Sequence, residues 1–256
     1  MRIASWNVNS IRAREQAVLD WVRAREPDVL CMQETKVSDD DFPTDEFLRL
    51  GYEVAMAGQP TYNGVAIAAR RPIKDVRVGL AGEPPNADRR AIAATVDGVR
   101  LLNVYVPNGK AVGSASFTQK LGFLERLRAT LDETATPEQE LLVCGDFNVA
   151  RDERDLYAPE LFRGKVHFHP DERRLLERVL EFGLTDSFRH FHDQSGLYSW
   201  WDYRAGSFGK DQGLRIDYAF VTAPLLARCR SVTIDVEPRR YDKPSDHAPV
   251  LVETAP

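Results

Sequence analysis

The stretch "LLVCGDFNVA", Leu141–Ala150, passes from an apolar run through a glycine into an acid, an aromatic and an amide. The apolar half reads as a strand, with Cys144 as a reduced core residue. Asp146 and Asn148 stand two residues apart, and in extended chain that spacing puts both side chains on one face. Alone, "GDFN" is more often a turn than a functional pair. Its meaning depends on what the rest of the chain brings beside it.

Short apolar, β-branched runs recur on both sides: "RIASWNV", "DVLCMQE", "GVAIAA", "AIAATVD", "VRLLNVYV", "RIDYAFV" and "APVLVE". Helical periodicity appears over Ile11–Arg25, Phe117–Thr130 and Asp171–Phe182, the last preceded by "HPDERR", a proline and then acids at a helix start. Strands outnumber helices and several are separated only by turns, which predicts mixed α/β layers with helices covering sheets rather than a regular βαβ alternation. No linker or low-complexity tract divides the 256 residues, so a single catalytic domain over 1–256 is expected.

Composition narrows the class. With 43% hydrophobic and 29% charged residues the chain has material for a sizeable core. No apolar run approaches the ~20 residues needed to cross a bilayer, and the N-terminus has no signal-peptide apolar region. Three cysteines without CxxC spacing argue against a disulfide framework and a zinc site, and favour a reducing cytoplasm. The net charge of −5 does not advertise a nucleic-acid partner, although net charge says little about local patches.

The strand ends carry the chemistry. "ASWNVN" supplies Asn7, "LCMQE" Glu34, "LLVCGDFN" Asp146 and Asn148, and "LRID" Asp217, while "PSDHAPVLV" puts Asp246 and His247 just before the last strand. Such groups are costly to bury without partners. Converging in one crevice, they would satisfy one another around a cation. Asp, Glu and Asn oxygens suit Mg²⁺ or Mn²⁺, and Mg²⁺ with few protein ligands is typical of phosphoryl chemistry. In that setting one member of the Asp146–Asn148 pair would deprotonate a water that the other holds in line with phosphorus. His247 beside a carboxylate, Asp217, would be fixed in tautomer and favoured as a cation near phosphate. Each residue has a plainer reading, as a capped turn or a solvated strand end. Their joint occurrence in order favours the functional one.

At this point the sequence resembles the exonuclease III-type apurinic/apyrimidinic endonucleases of the endonuclease/exonuclease/phosphatase superfamily. The residues that carry the resemblance, in order, are "SWNVNSIR", "LCMQETK", "NGVAI", "NVYVPNG", "GDFNVA", "SWWDYR", "LRIDY" and "SDHAPV". The resemblance implies an α/β fold of the DNase I type, a four-layer α/β sandwich of two mixed β-sheets packed face to face with helices outside. It implies a Mg²⁺ site, with Mn²⁺ able to substitute, formed by Asn7 and Glu34 with Asp246 close to the same cation and bordered by Asp146, Asn148 and His247. Asp146 is similar to the residue that activates water and Asn148 to its orienting partner. His247, paired with Asp217, matches a stabiliser of phosphate charge, with general base as the competing assignment. Tyr105 matches an active-site tyrosine near the phosphate or leaving oxygen, and Asn108 a phosphate hydrogen-bond donor.

The implied reaction is hydrolysis of the phosphodiester 5′ to an abasic site in double-stranded DNA, leaving a 3′-hydroxyl, with some 3′–5′ exonuclease, 3′-phosphatase or 3′-phosphodiesterase activity. An abasic site has no base edge to read, so recognition rests on shape, backbone contacts and extrusion of the sugar. The matching pocket positions are Trp200, Leu214 and Ile216. Arg89, Arg90, Lys110, Arg204 and Lys210 are candidates for backbone phosphates. In "SWWDYRAGSFGKDQG", Trp200 is expected to wall the pocket and Trp201 to anchor the loop in the core. The implied partner is duplex DNA with abasic or blocked 3′ sites, met by a monomer in the cytoplasm and at the nucleoid. The alternatives are a nonspecific nuclease, a phospholipid-type phosphatase, or a DNA-binding module without catalysis. Nothing in the chain resembles an interfacial membrane element, and a mere binder has no need of a water-activating pair.

Overall fold

Strands β1 (Arg2–Asn7), β2 (Val29–Gln33), β3 (Glu53–Ala57) and β4 (Val65–Ala69) build one half of the chain, which a computed structural model describes over residues 1–255. Strands β5 (Ile73–Val78), β6 (Ala91–Val96), β7 (Val99–Tyr105), β8 (Leu141–Asp146), β9 (Leu184–Asp186) and β12 (Asp217–Thr222) build the other. β13 (Cys229–Ile234) and β14 (Val250–Thr254) return to the first half. The two six-stranded sheets run β13-β14-β1-β2-β4-β3 and β5-β6-β7-β8-β12-β9. A two-stranded ribbon pairs β10 (Trp200–Trp201) with β11 (Gly213–Leu214).

Each large sheet has one parallel pair at its centre, β1 with β2 and β7 with β8, and antiparallel neighbours elsewhere. A parallel pair requires a crossover. Helix α1 (Ile11–Arg25) supplies the first and α3 (Ala115–Thr134) the second. Their starts are written locally: the Ser10 hydroxyl accepts from the Ala13 N–H, and the Ser114 hydroxyl from the Phe117 N–H. Helix α5 (Pro170–Leu180) begins one residue before the sequence reading, because the His169 ring caps it and Glu172 bonds back to the His169 N–H. The shorter helices α2 (Thr44–Arg49), α4 (Pro159–Phe162), α6 (Ser187–Phe191) and α7 (Ala223–Arg228) fill the connections.

Alternation along β2 and β8 explains the layering. Val29 and Cys31 point into the space between the sheets, where they join Leu101, Leu142 and Cys144. Leu30 and Met32 point outward to Leu19 and Trp21 of α1. On β8, Leu141 and Val143 face Leu124 and Leu127 of α3 and Leu176 of α5. Both strands are therefore covered on two faces and read as unbroken apolar runs. The result is helix, sheet, sheet, helix: the four-layer α/β sandwich that the resemblance implied. Cys31 and Cys144 are buried and free.

Candidate active site

Because β1 and β2 are parallel, their C-terminal ends lie together, and the same holds for β7 and β8. Register places Tyr105 beside Asp146 and Asp217 opposite Asp146. Gly145 makes this possible: its φ is +139° and an added Cβ would sit 1.8 Å from the Val104 carbonyl oxygen. The glycine in "GDFN" is thus fixed by the close approach of two backbones.

Asn7 joins the two sheets. Its amide donates to Glu34 Oε1 at 2.8 Å and to Asp146 Oδ2 at 3.0 Å, while its oxygen accepts the Asn9 N–H at 3.0 Å. Asn148 lies in the left-handed region at φ 53° and folds back on Asp146, with its N–H 2.9 Å from Oδ1 and its Nδ2 3.1 Å from Oδ2. Asn108 donates to Asn148 Oδ1 at 3.1 Å. On the other side, His247 Nδ1 lies 2.9 Å from Asp217 Oδ2 and its Nε2 3.7 Å from Asp146 Oδ2. The turn carrying His247 is pinned to β1 by Ser245, whose hydroxyl donates to the Asn7 carbonyl at 2.6 Å, and by Trp6, whose indole donates to the His247 carbonyl at 3.1 Å.

The electrostatics follow from crowding. Burial alone would lower the His247 pKa, but the charges of Asp217 and Asp146 outweigh it and push it up to about 10, so the imidazole is a cation. Burial, with the neighbouring charges of Asp217 and Glu34, pushes Asp146 up to about 8 despite the opposing influence of His247. Glu34 stays low because Lys36, 2.8 Å away, and Asn7 outweigh its burial. Tyr105 is held well above its usual range by burial and by the Glu34 and Asp146 charges, and so remains a hydroxyl donor. Glu34, Asp146 and His247 each offer an atom within 4.8 Å of the others. The carboxylate oxygens of Glu34 and Asp146, brought together under mutual repulsion, make a hard-donor pair that suits a divalent cation.

Residues 4–247 match the family described as Endonuclease/Exonuclease/phosphatase family. The chain belongs to that family. It is 33% identical over 265 residues to the exodeoxyribonuclease III of Haemophilus influenzae, covering 99% of each. Among solved structures, an AP endonuclease from Archaeoglobus fulgidus superposes with a TM-score of 0.97 at 39% identity, covering 100% of both chains. A 3′ phosphatase from Neisseria bound to a product DNA hairpin gives 0.96 at 40% identity, covering 100% of this chain and 99% of that one.

Of the residues singled out from sequence, Asn7, Glu34, Tyr105, Asn108, Asp146, Asn148, Asp217 and His247 meet in this one cleft. Asp246 stands at its edge, outside the three-residue group. Its oxygens accept from Asn9 Nδ2 and Trp200 Nε1, each at 2.9 Å. Trp200 is half-buried and packs with Leu214 and Ile216, which are both 1% exposed and so back the indole rather than line open space. Lys110 is exposed on the loop beside Asn108. Arg90 lies over the Tyr105 ring, 4.6 Å from its centroid. Arg204 is exposed and pairs with Asp202 at 2.6 Å.

Trp201 sits apart from Trp200, buried among Tyr198, Phe208 and Ala248. Trp201→Ala is therefore expected to cost about 3 kcal/mol or more of stability, and Trp200→Ala much less. Urea unfolding of both variants checks this, and equal losses would contradict it.

Four residues at the cleft escaped the sequence reading. The Ser199 hydroxyl donates to Asp217 Oδ2 at 2.7 Å and accepts the N–H groups of Ile216 and Asp217. Lys36 neutralises Glu34. Lys120 is fully buried behind Asn108 and Asn148. His167 has a φ of 76°, its Nδ1 lies 2.6 Å from the Asn148 carbonyl oxygen, and its ring faces Trp200 at 6.3 Å. A carbonyl only accepts, so Nδ1 carries the proton. Burial, reinforced by the Lys120 charge, pushes the His167 pKa down to about 3, and the ring is neutral. The two histidines flanking Phe168 in "VHFHP" were the available signal.

Proposed function

We propose that this chain is a metal-dependent DNA-repair nuclease that hydrolyses the phosphodiester 5′ to abasic sites in duplex DNA and trims blocked 3′ ends. It would act as a monomer and as one catalytic unit over 1–256. The observation that carries the reading is the meeting of Asp146, Asn148, Asn7 and Glu34 with the Asp217–His247 pair across two sheets. Full-length similarity to an exodeoxyribonuclease III, an AP endonuclease and a 3′ phosphatase supports it. No helix among the described residues is long and apolar enough to cross a membrane, and the cytoplasm remains the compartment we assign.

A Mg²⁺ ion held by Glu34 and Asp146, with Mn²⁺ able to replace it, would neutralise charge on the phosphate and the departing 3′-oxygen. The protein groups do the rest. Asp146, in its ionised fraction, accepts a proton from the attacking water, which Asn148 holds in line with phosphorus, so turnover should rise with pH up to about 8. His247 donates from Nε2 to a phosphate oxygen, and as a cation it serves better there than as a metal ligand. Tyr105 and Asn108 donate to the remaining phosphate oxygens. The bond between phosphorus and the 3′-oxygen breaks, leaving a 3′-hydroxyl and a 5′-phosphate.

One observation favours weighting the activity toward 3′ ends. His167 and His247 both face Trp200, at 6.3 and 6.5 Å between ring centroids. An imidazole on each side of Trp200 would narrow the space beside the indole for an extruded sugar. A terminal 3′-phosphate at a nick makes no such demand.

The test uses labelled duplexes carrying an internal abasic analogue, a nick, a 3′-phosphate or no lesion, with Mg²⁺ and with excess EDTA. Cleavage confined to the lesions and abolished by EDTA is expected. Uniform degradation would identify a nonspecific nuclease, binding without cleavage an inactive module, and activity surviving thorough chelation would remove the metal. The ratio of 3′-phosphate removal to abasic incision sets the balance between the two activities.

A further inference from the structure

The interior behind the cleft holds a charge that takes no direct part in the hydrolysis. Lys120, in the second turn of α3, has no exposed side-chain surface, and neither has its partner Glu172 near the start of α5. The ammonium group also donates to the backbone carbonyls of Asn148 at 2.6 Å and Asn108 at 3.1 Å. Three N–H donors thus meet three acceptors. Two of those acceptors belong to the two asparagines of the cleft, which sit on loops after different strands and are joined to each other only through side chains.

We propose that Lys120, held by Glu172, is a positioning residue that fixes Asn108 and Asn148 relative to each other and to Asp146. The inference rests on the reading of those asparagines as the groups that orient phosphate and water.

Three features support it over a plain core ion pair. First, a buried pair is a poor source of stability, since desolvating two charges offsets most of their attraction, and apolar replacements often fold as well or better. Second, Asn148 turns the chain at φ 53°, in the left-handed region that asparagine tolerates, so the direction of its side chain depends on how that turn is held. Lys120 grips the carbonyl of that residue. Third, Gly109 at φ +90° lies so close that an added Cβ would be 3.0 Å from Lys120 Cδ, so the loop after Asn108 is moulded over the lysine stem. Glu172 also accepts the His169 N–H at 3.0 Å, which anchors the carboxylate to the start of α5. The chain of contacts therefore runs from the two outer helices to the amides that face the scissile phosphate.

The test replaces both charges at once, as Lys120→Met with Glu172→Leu, because removing one alone strands the other in the interior. With the 3′-phosphate or abasic duplex that the native protein cleaves, this variant should fold and bind DNA normally, melting somewhat below the native temperature because the α5 cap and the two carbonyl bonds are lost. Its kcat should fall about a hundredfold, as expected when reacting groups are misplaced by a fraction of an ångström or more. KM should stay within about threefold, the mark of an interaction that matters in the transition state. A native kcat in this folded variant overturns the proposal. Should the double variant fail to fold, Lys120→Arg decides: it keeps the charge opposite Glu172, but its planar fork does not reproduce the three bonds. A native kcat in the Lys120→Arg protein refutes positioning, and a selective kcat loss supports it. If the native protein cleaves none of the duplexes, the functional reading has failed, and the side-chain amide ¹⁵N resonances of Asn108 and Asn148 decide separately. Unchanged resonances in the variant overturn the proposal, and displaced or broadened ones uphold it.

Discussion

Asp146→Asn is expected to lower kcat by about 10³-fold or more, the range lost with a positioned general base, while DNA binding survives. The substitution keeps shape and removes both charge and proton affinity. It also breaks the donor–acceptor match of the cleft. Oδ1 faces the Asn148 N–H at 2.9 Å, and Oδ2 faces the amides of Asn7 at 3.0 Å and Asn148 at 3.1 Å. Whichever way the new amide turns, its NH₂ group opposes a donor. The better orientation keeps the oxygen toward Asn7 and gives up the backbone bond, which loosens the turn that carries Asn148. His247 loses one of its anionic neighbours as well. Single-turnover cleavage and DNA affinity of the variant check this together. A rate within tenfold of native would take Asp146 out of its role as base, and a large loss of DNA affinity would contradict the expected survival of binding.

Much of this cleft was legible in the sequence because each of its anionic groups follows or begins an apolar strand. Asn7, Asp146 and Asp217 sit at strand ends by their position in the text alone, and parallel pairing at the centre of each sheet brings those ends together. The helix over Ile11–Arg25 was likewise marked by its period, and the structure adds the Ser10 cap at its start. Other residues carry no such mark. Lys120 stands in a helix where a lysine ordinarily reaches solvent, and its burial arises only when α3 packs on α5 and two loops close over it. Arg215, which breaks the apolar pattern of "LRID", is fully buried between Asp155 and Asp186, a pairing of segments 60 and 29 residues away. Asp246 shows the limit from the other side. Sequence placed it close to the cation, and its two oxygens each accept one hydrogen bond, from Asn9 and Trp200, an arrangement set by the fold of the Trp200 ribbon. Local pattern reports which residues end strands, and tertiary packing decides which of their atoms remain free.

Asp217→Asn is the second change with a large expected effect, about 10³-fold in kcat, comparable with loss of the carboxylate that orients a catalytic histidine elsewhere. The reason lies in Ser199. Its oxygen already accepts the N–H groups of Ile216 and Asp217, so its own proton goes to Asp217 Oδ2. That same oxygen is 2.9 Å from His247 Nδ1, and Oδ1 is 3.1 Å away. A carboxylate accepts from both partners at once. An asparagine with its oxygen at the Oδ2 position still accepts from Ser199 and His247, but it carries no charge, and its NH₂ group then stands at the Oδ1 position, 3.1 Å from His247 Nδ1. The imidazole then relieves the conflict by releasing its Nδ1 proton and keeping Nε2–H, which makes it a neutral ring where the native cleft holds a cation. The phosphate loses its charged donor, and Asp146 loses a positive neighbour in the same step. Because Asp217 bonds Ser199 and His247 and stands outside the Glu34, Asp146 and His247 group, affinity for metal and DNA should stay near native. Metal titration, DNA binding and single-turnover rates measured on one preparation separate these terms. Native turnover in a folded Asp217→Asn protein would show that His247 needs no carboxylate, and the ring would then have to be orienting through its backbone alone.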